Sequence, residues 1–277
     1  MSTELSWWEA VILGLVEGIT EYLPVSSTGH LLVTSELLNL SNTPEAEAAT
    51  DTFAICIQAG AILAVLLLYR ERIQQMLDGL LGRSDEGRAV LMAVMAAFIP
   101  TAIIGVTLRS TVKEQLFGPF PIVVAWIIGG VVILALSRRD WFNKPGQALT
   151  ELTVRNAVII GVAQAIALWP GVSRSLVTII AGVAVGMSLA ASVEFAFLLG
   201  LITLTAATVL EGADNGQEMF EIFGVWTPLL GLVVAFVSAA AAVKWMVGWL
   251  NRNGFAVFGW YRIAIGLIAL ALPIGWS

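Results

Sequence analysis

The sequence predicts an all-α polytopic membrane protein, with about six transmembrane helices plus two re-entrant helix pairs in an inverted-topology repeat. Three observations carry that expectation. Of the 277 residues, 58% are apolar and 12% charged, with a mean hydropathy of +0.89, too apolar to clothe a water-exposed surface. Seven or eight apolar stretches are long enough for a hydrocarbon core of about 30 Å, which takes ~20 helical residues, and short polar connections separate them. Two of the longest stretches are interrupted near their middles by Pro, Gly and small polar residues, which an ordinary spanning helix does not need.

The first broken stretch covers residues 5–40 and is interrupted at Pro24-Val25-Ser26-Ser27-Thr28-Gly29. Glu4, Glu9 and Glu17 punctuate its start, so it is not expected to be a cleaved secretory signal. Residues 53–69, 89–108 and 121–136 then read as spans apolar on all faces. Cys56, inside the first of them, has no disulfide partner in the chain and reads as packing. The second broken stretch, residues 153–187, is interrupted at Pro170-Gly171-Val172-Ser173-Arg174-Ser175, and spans at 192–210, 226–249 and 258–273 follow. Each broken stretch can be drawn as two spans or as one re-entrant hairpin. The hairpin is favoured, because backbone groups freed at the break need protein or cavity water rather than lipid.

Charge orients the spans. Arg70, Arg72, Arg83 and Arg88 crowd one connection, Arg138, Arg139 and Lys144 another, and Arg252 marks a third, whereas 43–51 and 211–221 are acidic and lack Lys and Arg. The positive-inside rule turns the basic connections to the cytoplasm and both termini outward; the connection at 109–120, with Arg109 and Lys113, departs from it. Ten tryptophans are expected at the interfaces. Gly14-Leu15-Val16-Glu17 followed by Pro24-Val25-Ser26-Ser27 is echoed by Gly161-Val162-Ala163-Gln164 followed by Pro170-Gly171-Val172-Ser173. Residues 1–277 are therefore expected to form one membrane domain of two oppositely oriented units, approximately 5–137 and 153–275, with a site at their interface. A net charge of −6 argues against nucleic acid as a partner.

Buried polarity gathers at the two breaks. Glu17 and Glu21 lie four apart, on one helical face, before Ser26, Ser27, Thr28 and His30, the chain's one histidine. A charge at mid-membrane costs ~2.5–3.5 kcal/mol on insertion scales, and two like charges together call for a metal, a shared proton or a guanidinium. The second break supplies Arg174 between Ser173 and Ser175 at a helix start, where the backbone N–H groups favour an anion. A serine hydroxyl, acid–base groups and an arginine-lined anion site together describe phosphoryl transfer through a serine.

Through Val16-Glu17-Gly18-Ile19-Thr20-Glu21-Tyr22-Leu23-Pro24-Val25-Ser26-Ser27-Thr28-Gly29-His30 and Leu168-Trp169-Pro170-Gly171-Val172-Ser173-Arg174-Ser175, the chain resembles the undecaprenyl-diphosphate phosphatases, also known as bacitracin-resistance proteins. The likeness covers essentially the full length. It implies hydrolysis of undecaprenyl diphosphate to the monophosphate and inorganic phosphate, recycling the cell-wall lipid carrier at the outer, periplasmic face of a bacterial inner membrane, with a divalent cation (Mg2+ or Ca2+). It also implies roles. Ser27 would be the nucleophile, Glu17 and Glu21 would hold a metal or proton, His30 would act in acid–base catalysis and Arg174 would hold phosphate. Glu17, Ser26, Thr28, Ser173 and Ser175 would line the substrate site. Leu176-Val177 stands where the family commonly has Gly-Ala, which bears on how the lipid approaches. The expected partners are a polyprenyl diphosphate and membrane lipids, with a homodimer compatible with both. A lipid transporter or flippase shares the broken helices and intramembrane charges, but a serine-rich turn beside acid–base groups serves bond cleavage rather than transport. A channel would need a continuous polar stripe, and the polarity here is concentrated at two points.

Overall fold

The computed structural model describes residues 5–40, 44–116 and 118–272. They form α1 (Trp7–Thr20), α2 (Ser27–Leu37), α3 (Pro44–Leu68), α4 (Arg70–Leu80), α5 (Asp85–Leu116), α6 (Pro119–Ser137), α7 (Val154–Gln164), α8 (Arg174–Ala184), α9 (Leu189–Phe223), α10 (Trp226–Asn253) and α11 (Ala256–Ala271), with short 3-10 turns at Trp141–Asn143, Leu149–Glu151 and Ala165–Leu168. No β-strand occurs among the described residues. The protein is an all-α multi-pass membrane protein.

Five stretches are long and apolar enough to cross a bilayer: Ala49–Leu68, Asp85–Leu108, Pro119–Ser137, Leu189–Leu210 and Trp226–Leu250. The sixth expected span is α11, whose 16 described residues reach ~24 Å at 1.5 Å per residue, short of a ~30 Å core. The paired helices at the breaks are shorter again. α1 has 14 residues, while α2, α7 and α8 have 11 each, so at ~1.5 Å per residue none crosses alone. Outward-facing aliphatic residues such as Ile103, Val106, Val131 and Val237 are exposed, as expected of side chains solvated by lipid rather than water.

Several connections differ from the sequence expectation. The Arg-rich segment after residue 69 is largely the amphipathic helix α4, packed on α5. Arg72 reaches across to α9, its Nε 2.6 Å from Glu194 Oε1. Helix α5 continues past 108 to Leu116, α3 begins at Pro44 and α9 runs on to Phe223, so polar stretches expected as loops prolong helices beyond the apolar zone. Hydropathy marks where lipid ends rather than where hydrogen bonding ends. The side chains of Arg109, Lys113 and residues 211–221, on which part of the charge argument rests, lie outside the described residues.

Long helices grip the two broken pairs. α1 lies along α10 and α7 along α5, while α3 packs on α9 and α6 on α11. Glycines allow the first two contacts. A Cβ on Gly18 would lie 2.4 Å from the Ala235 carbonyl, and one on Gly161 would lie 2.1 Å from that of Ala97. The backbones approach closely at these points, and at Gly18 the Ser238 hydroxyl also occupies the space a side chain would need.

Candidate active site

Both breaks end in the same uncommon backbone geometry. Ser26 (φ 73°, ψ 100°) caps α2 and Ser173 (φ 77°, ψ 117°) caps α8. Neither is glycine, and holding an L-residue there costs about 1–3 kcal/mol. The strained turn lets a new helix begin directly after each serine, α2 at Ser27 and α8 at Arg174. The structural counterpart of Ser173 is thus Ser26, one residue earlier than the sequence echo suggested.

The two helix starts face one small polar cavity of about 30 Å³, lined by Glu21, Ser26, Ser27, Thr28, Ser173 and Arg174, with Trp169 and Pro170 at its rim. Glu21 is its hub. One carboxylate oxygen, Oε1, accepts from Arg174 Nη2 at 2.7 Å, and the other, Oε2, accepts a short hydrogen bond from Ser27 Oγ. The Glu21 side chain is 4% exposed and that of Arg174 31%, so the arginine has a face free for an incoming anion. Ser173 supports the second turn by accepting from the Leu176 N–H at 3.3 Å, and Ser175 Oγ donates to the Leu23 carbonyl at 3.0 Å, tying α8 to the first turn. Thr28 is exposed at the mouth.

Glu17 and His30 do not line this cavity. Glu17 is 1% exposed, one turn below Glu21 and outside the cavity lining, and its Oε1 has no hydrogen-bond partner. His30 also stands outside the lining. Its Nδ1 is 2.7 Å from the Ser26 carbonyl and its Nε2 2.8 Å from the Tyr261 hydroxyl. A carbonyl can only accept, so in the neutral ring Nδ1 carries the proton and Nε2 accepts from Tyr261. The imidazole is stacked against the Tyr261 ring at 5.7 Å and wedged by Trp126 at 4.8 Å. In this arrangement it buttresses the first turn rather than facing the serine.

Sequence reasoning missed Tyr261 and Arg262. The Arg262 side chain is fully buried and donates to the carbonyls of Pro24 (3.1 Å), Gly171 (2.8 Å), Ala125 (2.9 Å) and Trp126 (3.3 Å). A charged residue inside an apolar span was the available signal. Trp126 closes the same corner, its indole N–H donating to the Val25 carbonyl at 2.9 Å.

Glu17 and Glu21 are a poor cage for a resident cation. No group of three or more His, Cys, Asp or Glu occurs among the described residues, and both Glu21 oxygens are already committed to Arg174 and Ser27. Two carboxylates, with both Glu21 oxygens in use, fall short of the six or more oxygens a hard cation takes.

A second space adjoins the first. An apolar groove of about 810 Å³ runs between α1, α10 and α11, with Leu15, Ile19, Val234, Val237 and Trp245 on its walls. Leu23, Val25 and Tyr261 also line it. Val25 and Ser26, adjacent in the chain, therefore face the apolar groove and the polar cavity respectively.

The family model described as bacitracin resistance protein BacA matches residues 10–268. The chain belongs to that family. Its similarity to curated members extends over nearly the whole length. It is 42% identical over 274 residues to undecaprenyl-diphosphatase 2 of Rhodospirillum rubrum, covering 97% of each chain. It is 40% identical over 269 residues to the undecaprenyl-diphosphatase of Sorangium cellulosum, covering 96% of this chain and 86% of that one. A third, from Nitrosospira multiformis, is 38% identical over 262 residues, with 95% and 93% covered. The BacA resemblance read from the two motifs is thereby borne out.

Proposed function

We propose that this protein is an undecaprenyl-diphosphatase, hydrolysing undecaprenyl diphosphate to undecaprenyl phosphate and inorganic phosphate. The observation that carries the reading is the Ser27–Glu21–Arg174 chain, a hydroxyl bonded to a carboxylate that is itself paired with a partly open guanidinium. The relatives bear the corresponding name.

The diphosphate would enter the cavity with its terminal phosphoryl group between Arg174 and the N-termini of α2 and α8, where guanidinium and backbone N–H groups offset its charge. The isoprenoid tail would lie in the groove beside α10, where apolar burial supplies affinity at about 25 cal/mol per Å². Ser27 Oγ attacks the terminal phosphorus while its proton passes to Glu21. The bond from that phosphorus to the bridging oxygen breaks, and undecaprenyl phosphate departs with the bridging oxygen. Water then attacks the phosphoserine, inorganic phosphate leaves, and Glu21 returns the proton to Ser27. Glu21 takes the proton-transfer role in this scheme because it touches the hydroxyl, whereas His30 holds the turn. Ser26, Thr28, Ser173 and Ser175 shape and support the phosphate site.

A divalent cation would arrive on the diphosphate rather than wait on the protein, since Mg2+ commonly binds through substrate phosphates with only one or two carboxylates and keeps its water. The matching breaks, and the reciprocal packing of α1 on α10 and α7 on α5, support two inverted units. On the positive-inside reading, the first pair enters from the outer face of the bacterial inner membrane, and the site opens to that face. The test is phosphate release from a polyprenyl diphosphate by purified protein in detergent, where no gradient can drive transport. The parent is expected to release phosphate and Ser27→Ala and Arg174→Ala to fail while remaining folded. A parent that binds the lipid without releasing phosphate would sink the proposal.

A further inference from the structure

Arg262 sits where no sequence motif of the site reaches, yet from α11 its side chain bonds to both interrupted turns. It donates to the Pro24 carbonyl in the first turn and to the Gly171 carbonyl in the second, and grips α6 through the carbonyls of Ala125 and Trp126. The groups brought together at the cavity belong to opposite sides of this junction: Glu21 and Ser27 flank Pro24, and Arg174 follows Gly171. The second turn is also pressed on α6, since a Cβ on Gly171 would lie 2.7 Å from the Ile122 carbonyl. A fully buried guanidinium whose hydrogen bonds among the described residues all go to main-chain carbonyls is costly in a membrane protein. A side chain spent only on packing α11 against α6 has no need of that charge.

We propose that Arg262 is a positioning residue that locks the two turns in register, so that Arg174 is delivered to Glu21 and Ser27 at the distance phosphoryl transfer requires. Its room is made by Gly129 on α6. A Cβ there would stand 2.4 Å from Arg262 Nη2 and 2.8 Å from both Cζ and Nε. These atoms are the far end of a flexible side chain, so Gly129→Ala displaces the guanidinium instead of breaking the helix. Gly129 does not line the polar cavity, which makes the substitution a remote handle on the clamp.

The kinetic arm rests on the phosphatase reading. It compares the parent with Gly129→Ala, Arg262→Lys and, as a control, Gly248→Ala, whose Cβ would meet nothing closer than Arg252 Nη2 at 3.8 Å. For Gly129→Ala, kcat per folded molecule is expected to fall by about 10- to 100-fold, the scale of an ångström-level misplacement, with KM changed less than about threefold. Arg262→Lys should not rescue, because one ammonium cannot span two turns and α6. Gly248→Ala should match the parent. A residue serving only stability would lower the melting temperature and the folded yield, leaving kcat per folded molecule intact.

The second arm needs no activity. Spin labels at Thr28→Cys and Ala167→Cys, in a Cys56→Ser background, report the separation of the two turns, which should be narrow in the parent and broadened by Gly129→Ala or Arg262→Lys. A folded Gly129→Ala with parental kcat, or an unchanged distance distribution in whichever variant folds, overturns the clamp. An inactive parent with a distribution that broadens as described would sink the phosphatase reading and leave the clamp standing.

Discussion

Glu21→Gln is the most informative single change, because Glu21 makes two contacts of different kinds. The amide keeps the volume and one oxygen, so Arg174 retains an acceptor at the place where Oε1 now lies 2.7 Å away. What disappears is the negative charge, and with it the ability to take the Ser27 proton. Weakening one charge-assisted hydrogen bond costs about 1–2 kcal/mol of stability, held to the lower end because the Arg174 side chain is 31% exposed and can turn to water. Catalysis should suffer far more. Loss of a positioned general base lowers rates about 100- to 10 000-fold, which is roughly 3–5 kcal/mol in the barrier. Single-turnover phosphate release over a range of polyprenyl diphosphate concentrations should show the loss in kcat, with the apparent affinity little altered. Combining the substitution with Ser27→Ala should cost no more than Ser27→Ala alone, since groups acting as one unit are not additive. A Glu21→Gln protein that keeps a tenth or more of the parental kcat would refute Glu21 as the proton acceptor.

Three further outcomes follow from the same geometry. Ala241→Trp, placed on the wall of the 810 Å³ groove, should raise KM for long-tailed diphosphates several-fold and leave a short-tailed diphosphate nearly unaffected; equal effects on both would remove the tail from that groove. Tyr261→Phe deletes the hydroxyl 2.8 Å from His30 Nε2. With a single histidine in the chain, 15N-histidine NMR should show the Nδ1–H tautomer in the parent and an altered Nε2 resonance in the variant, whereas identical spectra would mean the bond is not made. Gly161→Leu forces a side chain into the 2.1 Å approach to the Ala97 carbonyl and should destabilise the α5–α7 contact by about 1–3 kcal/mol, read as a lower melting temperature in detergent.

Much of this arrangement was legible in the sequence, for identifiable reasons. Apolar runs locate the five long spans because lipid imposes hydropathy directly. Pro24 and Pro170, each near small polar residues, locate the breaks because freed backbone groups must be satisfied. Charge economy in a membrane brings Glu21 and Arg174 into one expectation, the family resemblance adds Ser27, and the three share one cavity. The register of the echo was not legible, because Ser26-Ser27 offers two serines and only backbone dihedrals pick Ser26 as the partner of Ser173. The direction in which His30 points depends on Tyr261, 231 positions away, and no local pattern encodes it. Trp260-Tyr261-Arg262 has the composition of an interfacial anchor, which disguises an arginine that is wholly buried. Helix α4 was hidden by its charge: an amphipathic helix at the membrane edge and a basic loop look alike to a hydropathy window.

The central claim is that Ser27 carries the phosphoryl group. It is tested most directly by rapid quenching of a single turnover with polyprenyl diphosphate labelled in its terminal phosphate, followed by peptide mapping. The label is expected on the peptide containing Ser27 in the parent and to be absent, along with phosphate release, from Ser27→Ala. Label passing straight to inorganic phosphate, with Ser27→Ala still turning over, would contradict the account and assign the attack to water.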